Sequence, residues 1–126
     1  MVEDFDTLVK QLTAKMLSKK YFIVQWKSFG KAELIKQLLP DHLKFLIALE
    51  KQGKVFGSGP LSGEGALPGD GLTILRVESA GEACAIAEKD PFVVAGARGF
   101  EIREWTLMEG SVNLSVNFSD QSIGFS

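Results

Sequence analysis

The sequence predicts an α+β domain built on an antiparallel sheet, and three observations predict it. Four runs carry strand chemistry, rich in β-branched and aromatic residues: Tyr21–Trp26, Val55–Ser58, Gly71–Val77 and Phe100–Trp105. Helix signals fall after the first run and after the third, one through Leu43, Leu46, Ile47 and Leu49, the other opened by Ser79 and Glu82. The resulting order, β-α-β-β-α-β, is the split βαβ or ferredoxin-like pattern, whose helices cover one face of the sheet. An extra N-terminal helix and an extra C-terminal strand complete the expected architecture. The bare sheet face then needs a cover, which a homodimer or higher homo-oligomer with sheets meeting face to face supplies, as a dimeric α+β barrel. The expected organisation is a single domain over 1–126, with a helical extension at 1–18, a core at 19–107 and a strand extension at 108–126.

Each element has its own justification. From Asp4 to about Ser18, Phe5, Leu8, Val9, Leu12 and Met16 fall on one helical stripe, and Asp4 or Asp6 is placed to cap its start. That stripe is expected to cover part of the core, with a neighbouring subunit as the alternative. Tyr21–Trp26 is nearly continuously apolar, which suits a central strand covered on both faces. Lys31 to Leu39 is helix-like, but Pro40 has no amide donor and disfavours helix in the residue before it. A new helix is therefore expected to begin at Pro40 and to end on a Gly53 cap.

Val55–Ser58 is a short strand closed by Gly59 and Pro60. Gly63, Gly65, Pro68 and Gly69 make Leu61–Asp70 a flexible loop. The capping box of Ser79 and Glu82 opens a helix running to about Lys89, with Ala83, Ile86 and Ala87 facing inward and Cys84 as a small core residue. Phe100–Trp105 alternates strictly. Val112–Phe118 alternates again and is expected as the fifth strand, its Val, Leu and Phe being natural material for covering the sheet.

The whole chain bounds the function. It has 126 residues, enough for one domain with a sizeable core. Its formal net charge is -2 with mixed signs, and Lys10, Lys15, Lys19 and Lys20 are offset by Glu3, Asp4 and Asp6, so no nucleic-acid partner is expected. Cys84 is alone, which excludes an internal disulfide, and one His with one Cys gives no clustered metal-ligand spacing. The acidic start lacks the order of a secretory signal, and no apolar run approaches the ~20 residues of a membrane helix. A soluble cytoplasmic domain is the expectation.

His42 is the only histidine. Phe45, Leu46 and Leu49 follow it at helical spacings, so it leans toward the apolar face of its helix. Its side chain suits acid–base work near neutral pH, and the alternative is a half-buried histidine satisfied by a backbone carbonyl. Asp90 precedes Pro91, a common way to start a turn. Bonded to one imidazole nitrogen, its carboxylate would orient the ring and leave the other nitrogen to move a proton. Gly57 and Gly59 allow close backbone approach near His42, Ser58 can line a cleft together with Gly59 and Pro60, and Phe92 with Trp26 and Trp105 can form an apolar wall. Neither Gly57-Ser58-Gly59 nor the Gly63–Gly71 loop ends or continues as a phosphate cradle requires. Hydride and phosphoryl transfer call for a cofactor or metal, and no cofactor is expected.

Asp41-His42-Leu43, Leu49, Gly53, Gly57-Ser58-Gly59-Pro60-Leu61 and Asp90-Pro91-Phe92 together resemble the YciI-like (YCII-related) family, over about Tyr21 to Leu107. The resemblance implies a dimeric ferredoxin-like fold related in architecture to muconolactone isomerase. It also implies a histidine and an aspartate facing each other in a cleft, at the positions of His42 and Asp90. The best understood relatives dehydrochlorinate chlorinated hydroxyquinols. One departure is Leu39, where family members often carry an arginine. The expected function is a cofactor-free acid–base enzyme, an isomerase or lyase, acting on a small organic molecule through a His–Asp dyad. The alternative is a non-catalytic small-ligand-binding or assembly module using the same cleft.

Overall fold

The apolar run Tyr21–Trp26 lies inside a ten-residue strand, β1 (Lys19–Ser28), in the computed structural model, which describes residues 4–126. Before it stands helix α1 (Phe5–Thr13). After it come α2 (Ala32–Lys51), β2 (Val55–Pro60), β3 (Gly71–Leu75), α3 (Ala80–Ala87), the short α4 (Pro91–Val94) and β4 (Arg98–Leu107). Two three-residue strands, β5 (Leu114–Val116) and β6 (Ile123–Phe125), close the chain. These elements form two compact units, one from Lys20 to Thr106 and one made of the chain ends up to Lys19 and from Leu107.

In the larger unit the strands run in the order β2-β3-β1-β4. β1 and β2 both pair antiparallel with β3, and the whole is the expected ferredoxin-like sheet with helices. Period-two alternation sorts β1 onto two faces. Phe22, Val24 and Trp26 face a core shared with Leu75, Ala83 and Ala87, while Val55, Ile86, Phe100 and Ile102 pack at its edge. Alanine at 83 and 87, one helical turn apart, lets α3 seat closely on the strands. Burying one such valine or leucine stabilises the fold by roughly 1.5–3 kcal/mol. On the opposite face Ile23 lies across from Ile74 and Gln25 across from Leu72. Tyr21 joins Phe56 and Trp105 there, with ring centroids 4.9 Å and 6.0 Å away. A second cluster, Ile35, Phe92 and Ala97 with Leu34 and Leu38, ties α2 to α4.

A bulge between Val55 and Gly57 changes the register of β2, so that Ser58 pairs with Thr73 rather than with Leu72. One extra residue moves every later side chain to the other face. The bulge therefore turns Ser58 toward the helix-covered side.

Several elements differ from the sequence expectation. No new helix begins at Pro40, which lies inside a single twenty-residue α2. The buried residues of α2, Ile35, His42 and Leu49, are spaced by seven along one stripe that continues through the proline. Packing of that stripe outweighs the roughly 3 kcal/mol that an interior proline costs. Gly53 follows the helix with φ of 76°, the left-handed turn that a helix-ending glycine supplies.

Asp4 caps α1, its Oδ1 accepting from the Thr7 amide at 2.8 Å, yet no residue of α1 is buried, so the stripe does not serve as core. The expected fifth strand is instead one arm of a β5–β6 hairpin, a separate two-stranded sheet. Phe118 falls in the connecting turn and is exposed. Cys84 is half-buried rather than core, because Ala83 and Ala87 already occupy the inward face of α3. Its thiol donates to Glu88 Oε1 at 3.4 Å, and that carboxylate, with some burial, pushes the thiol up from its ordinary value. At the start of α3, Ser79 Oγ accepts from the Glu82 amide at 3.1 Å, while the Glu82 carboxylate accepts from the Glu78 amide, one residue earlier than the expected reciprocal partner.

Candidate active site

The seven-residue stripe of α2 carries His42 into contact with the start of α4. Asp90 precedes α4, whose first residue, Pro91, has no amide to offer, and the Asp90 side chain makes no capping bond. The carboxylate is free to turn inward, where it is 0% exposed. Asp90 Oδ1 stands 2.6 Å from His42 Nδ1, and Asp90 Oδ2 accepts from Arg98 Nε at 3.0 Å. A second guanidinium nitrogen, Arg98 Nη1, donates to the Gly69 carbonyl at 2.9 Å. His42 and Arg98 are themselves only 8% and 4% exposed. Burial pushes the guanidinium down from its ordinary value, and the Asp90 charge beside it pulls the other way.

The contacts assign the imidazole hydrogen. A carboxylate already accepting from a guanidinium has no hydrogen to give, so the hydrogen in the 2.6 Å contact belongs to His42 Nδ1. In the neutral ring Nε2 is then the nitrogen that carries the lone pair. Among the described residues it has no hydrogen-bond partner, and it is not sealed from solvent, so Nε2 is reached from outside. The ring is fixed from below by Phe92, stacked at 4.4 Å between centroids and 21° between planes. Arg98 is fixed between aromatic faces, 3.9 Å over Trp26 and 4.8 Å over Phe92.

His42, Arg98, Phe92 and Trp26 open onto a cavity of about 700 Å³ between α2 and β2. Its helix wall is apolar, with Ile35, Leu39, Leu43, Leu46 and Ile47. On the strand side lie Gly57, Ser58, Gly59 and Pro60. A cavity of this size suits a small organic ligand. Ser58 belongs to a hydroxyl chain in which Trp26 Nε1 donates to Thr73 Oγ1 at 2.8 Å and Thr73 Oγ1 lies 2.7 Å from Ser58 Oγ. Thr73 is 1% exposed, and the arrangement that leaves its hydroxyl hydrogen paired is donation to Ser58. The Ser58 hydrogen is then free for a ligand.

His42, Asp90, Ser58, Gly59, Pro60 and Phe92, all singled out in the sequence, thus gather at one place. Trp105 does not join them and packs with Tyr21 and Phe56 instead. Gly57 and Gly59 do not serve close approach, since a Cβ on either meets nothing within 4 Å and the space beside them is open. Close backbone approach is found instead at Gly71, whose Cβ would lie 2.8 Å from the Gly59 carbonyl oxygen. Arg98 and Thr73 escaped the sequence reading. No local signal marks Arg98, whose guanidinium is enclosed by Asp90, Gly69, Trp26 and Phe92 from elsewhere in the chain. Among the described residues no three His, Cys, Asp or Glu side chains converge as metal ligands, and no helix is long and apolar enough to cross a membrane.

With this geometry the comparisons can be read. Among solved structures, the chain is similar to 5-chloro-2-hydroxyhydroquinone dehydrochlorinase (TftG) from Burkholderia phenoliruptrix AC1100, determined in complex with 2,5-dihydroxybenzoquinone. The TM-score is 0.59 at 25% identity, covering 68% of this chain and 92% of that one. A comparison with curated proteins finds no match. The YCII-related domain matches residues 20–106, the same stretch as the compact unit from Lys20 to Thr106. By that match the chain belongs to the YCII-related domain family.

Proposed function

We propose that this protein is a cofactor-free acid–base enzyme acting on a small organic molecule, an isomerase or a lyase of the dehydrochlorinase kind. The observation that carries the reading is the division of labour on His42: Nδ1 held by Asp90 at 2.6 Å, Nε2 with no partner among the described residues, on a ring that lines the cavity. A ring held in this way presents one nitrogen in one orientation, which is what a general base requires. The likeness to a dehydrochlorinase supports the class of chemistry.

In this reading His42 Nε2 takes a proton from the substrate, and the electron pair of the broken bond forms a new double bond. In an elimination the leaving group departs as an anion with its own bonding pair. In an isomerisation the proton returns at another carbon. Asp90 holds the ring and balances the imidazolium. Ser58, Gly59, Pro60 and Phe92 contact the substrate, Ser58 as a hydrogen-bond donor. The half-buried face of Ile23, Leu72 and Ile74 is the surface proposed to meet a second copy, making a homodimer.

The test is turnover by wild type and His42→Ala. Chloride release from 5-chloro-2-hydroxyhydroquinone and solvent deuterium uptake by enolisable hydroxyquinones are the two readouts. Loss of a positioned base predicts a fall of about 10²–10⁴-fold in a variant that stays folded. Undiminished turnover in folded His42→Ala would sink the reading.

One observation favours the second reading, a ligand-binding module without turnover. Leu39 contributes an apolar side chain to the cavity wall, where an arginine is common in the family. Saturable binding by wild type, unaltered in His42→Ala and without chemistry on any ligand, is its signature.

A further inference from the structure

Arg98 has more donors than the described residues have acceptors for it. Nε is used by Asp90 and Nη1 by the Gly69 carbonyl. Among the described residues the one acceptor-type atom in hydrogen-bonding geometry with Nη2 is His42 Nδ1, at 3.4 Å. That nitrogen carries the hydrogen it gives to Asp90, so it has no lone pair left for Arg98. Among the described residues Nη2 is left without an acceptor, on a cation that is 4% exposed and forms part of the cavity wall. A buried charged donor in that position is completed by an acceptor arriving from the cavity, and an anionic oxygen makes the strongest such bond.

We propose that Arg98 Nη2 is the anchor for an anionic oxygen of the substrate, next to the carbon or hydroxyl from which His42 Nε2 takes its proton. The inference rests on the cavity being the active site and names the substrate class: a small, flat molecule bearing an enol, phenol or similar acidic hydroxyl. When the proton leaves for His42, the negative charge delocalises onto an oxygen, and a fixed guanidinium stabilises it without reorganising. The guanidinium plane is held by Trp26 and Phe92, and the apolar wall of Leu39, Leu43 and Leu46 accepts the rest of a ring. Glu50 and Asp70 also line the cavity. The Asp70 carboxylate is already committed to the Ser28 and Leu67 amides. Arg98 thus takes over the anion contact that Leu39 cannot make.

The test compares two probes of matched size, 4-nitrophenolate and uncharged 4-nitroanisole, binding to wild type, Arg98→Met and Arg98→Lys. Wild type is expected to bind the phenolate at least about tenfold more tightly, a preference lost in Arg98→Met and kept in part by Arg98→Lys, since a bond to a charged group carries differences of that order. Phenolate absorbance gives a second readout, because Arg98 lowers the apparent pKa of bound 4-nitrophenol in wild type and the methionine in Arg98→Met does not. Should Arg98→Met not fold, Arg98→Met with Asp90→Asn removes both charges and takes its place. Equal binding of the two probes by wild type overturns the role of Arg98 and leaves the acid–base reading standing. A phenolate preference that survives in the folded methionine variant does the same. Binding of neither probe overturns both.

Discussion

Asp90 Oδ2 accepts the Nε hydrogen of Arg98 at 3.0 Å, with the two side chains 0% and 4% exposed, so this ion pair is made away from water. Asp90 divides itself between a permanent cation on one oxygen and the His42 ring on the other. Orientation of the histidine is thereby tied to the burial of the arginine.

Removing the Asp90 charge should therefore be costly. Asp90→Asn leaves the guanidinium buried without a counter-ion, and breaking one partner of a buried pair costs about 3–5 kcal/mol. Adding Arg98→Met to the same chain removes the stranded cation, and the double variant should recover a large part of the loss. Urea unfolding of the wild type, both single variants and the double variant closes the cycle. A single asparagine variant within about 1 kcal/mol of wild type, taken as the threshold from the scatter of additive sites, would show that Arg98 does not depend on Asp90.

The hydroxyl chain behind the cavity makes a second prediction. Trp26 Nε1 has Thr73 Oγ1 as its acceptor at 2.8 Å, and Thr73 is almost wholly buried. Thr73→Val keeps the shape and removes the acceptor, leaving the indole N–H unsatisfied at a cost of about 1–3 kcal/mol. Thr73→Ser keeps the oxygen and loses only a methyl group, so it should unfold later in urea than the valine variant. A valine variant as stable as the serine one would mean that the indole finds another acceptor.

Much of this arrangement is written in local pattern. The strands follow from Tyr21–Trp26 and from the strict alternation of Phe100–Trp105, and the helix after Ser79 follows from its cap. His42 and Asp90 could be paired because the family resemblance joins them, although they stand 48 positions apart in the chain. What was not legible depends on packing between distant segments. Pro40 reads locally as a helix start, and only the stripe of Ile35, His42 and Leu49 against its neighbours carries α2 through it. Ser58 reads as one of a glycine-rich run, and only the bulge at Phe56 decides which face it takes. Arg98 goes unmarked in the sequence, because its burial is created by Asp90, Gly69 and Trp26 arriving from elsewhere in the chain. Val112–Phe118 reads as a fifth strand of the sheet, and its pairing with Ile123–Phe125 stays hidden because alternation cannot say what a strand pairs with.

The loop beside the cavity gives a prediction in pH. Asp70 ends the 61–70 segment and ties it down, Oδ1 accepting from the Ser28 amide at 2.8 Å and Oδ2 from the Leu67 amide at 2.9 Å. Those bonds, the Leu67 amide first and Ser28 next, hold the carboxyl below its ordinary range. A carboxyl depressed in the folded state stabilises that state fully above its unfolded value, near 3.9, and the contribution disappears as pH falls through the lower, folded value. Protonation should release the Ser28 and Leu67 amides and, with them, the hold on Gly69, whose carbonyl accepts from Arg98. Asp70→Asn should be less stable than wild type at about pH 6, and the gap should close on acidification below the unfolded carboxyl value. Urea unfolding at both pH values, with the Ser28 and Leu67 amide resonances followed by NMR, reads this directly. A gap that stays constant down to about pH 2 would show that the Asp70 charge does not hold the loop.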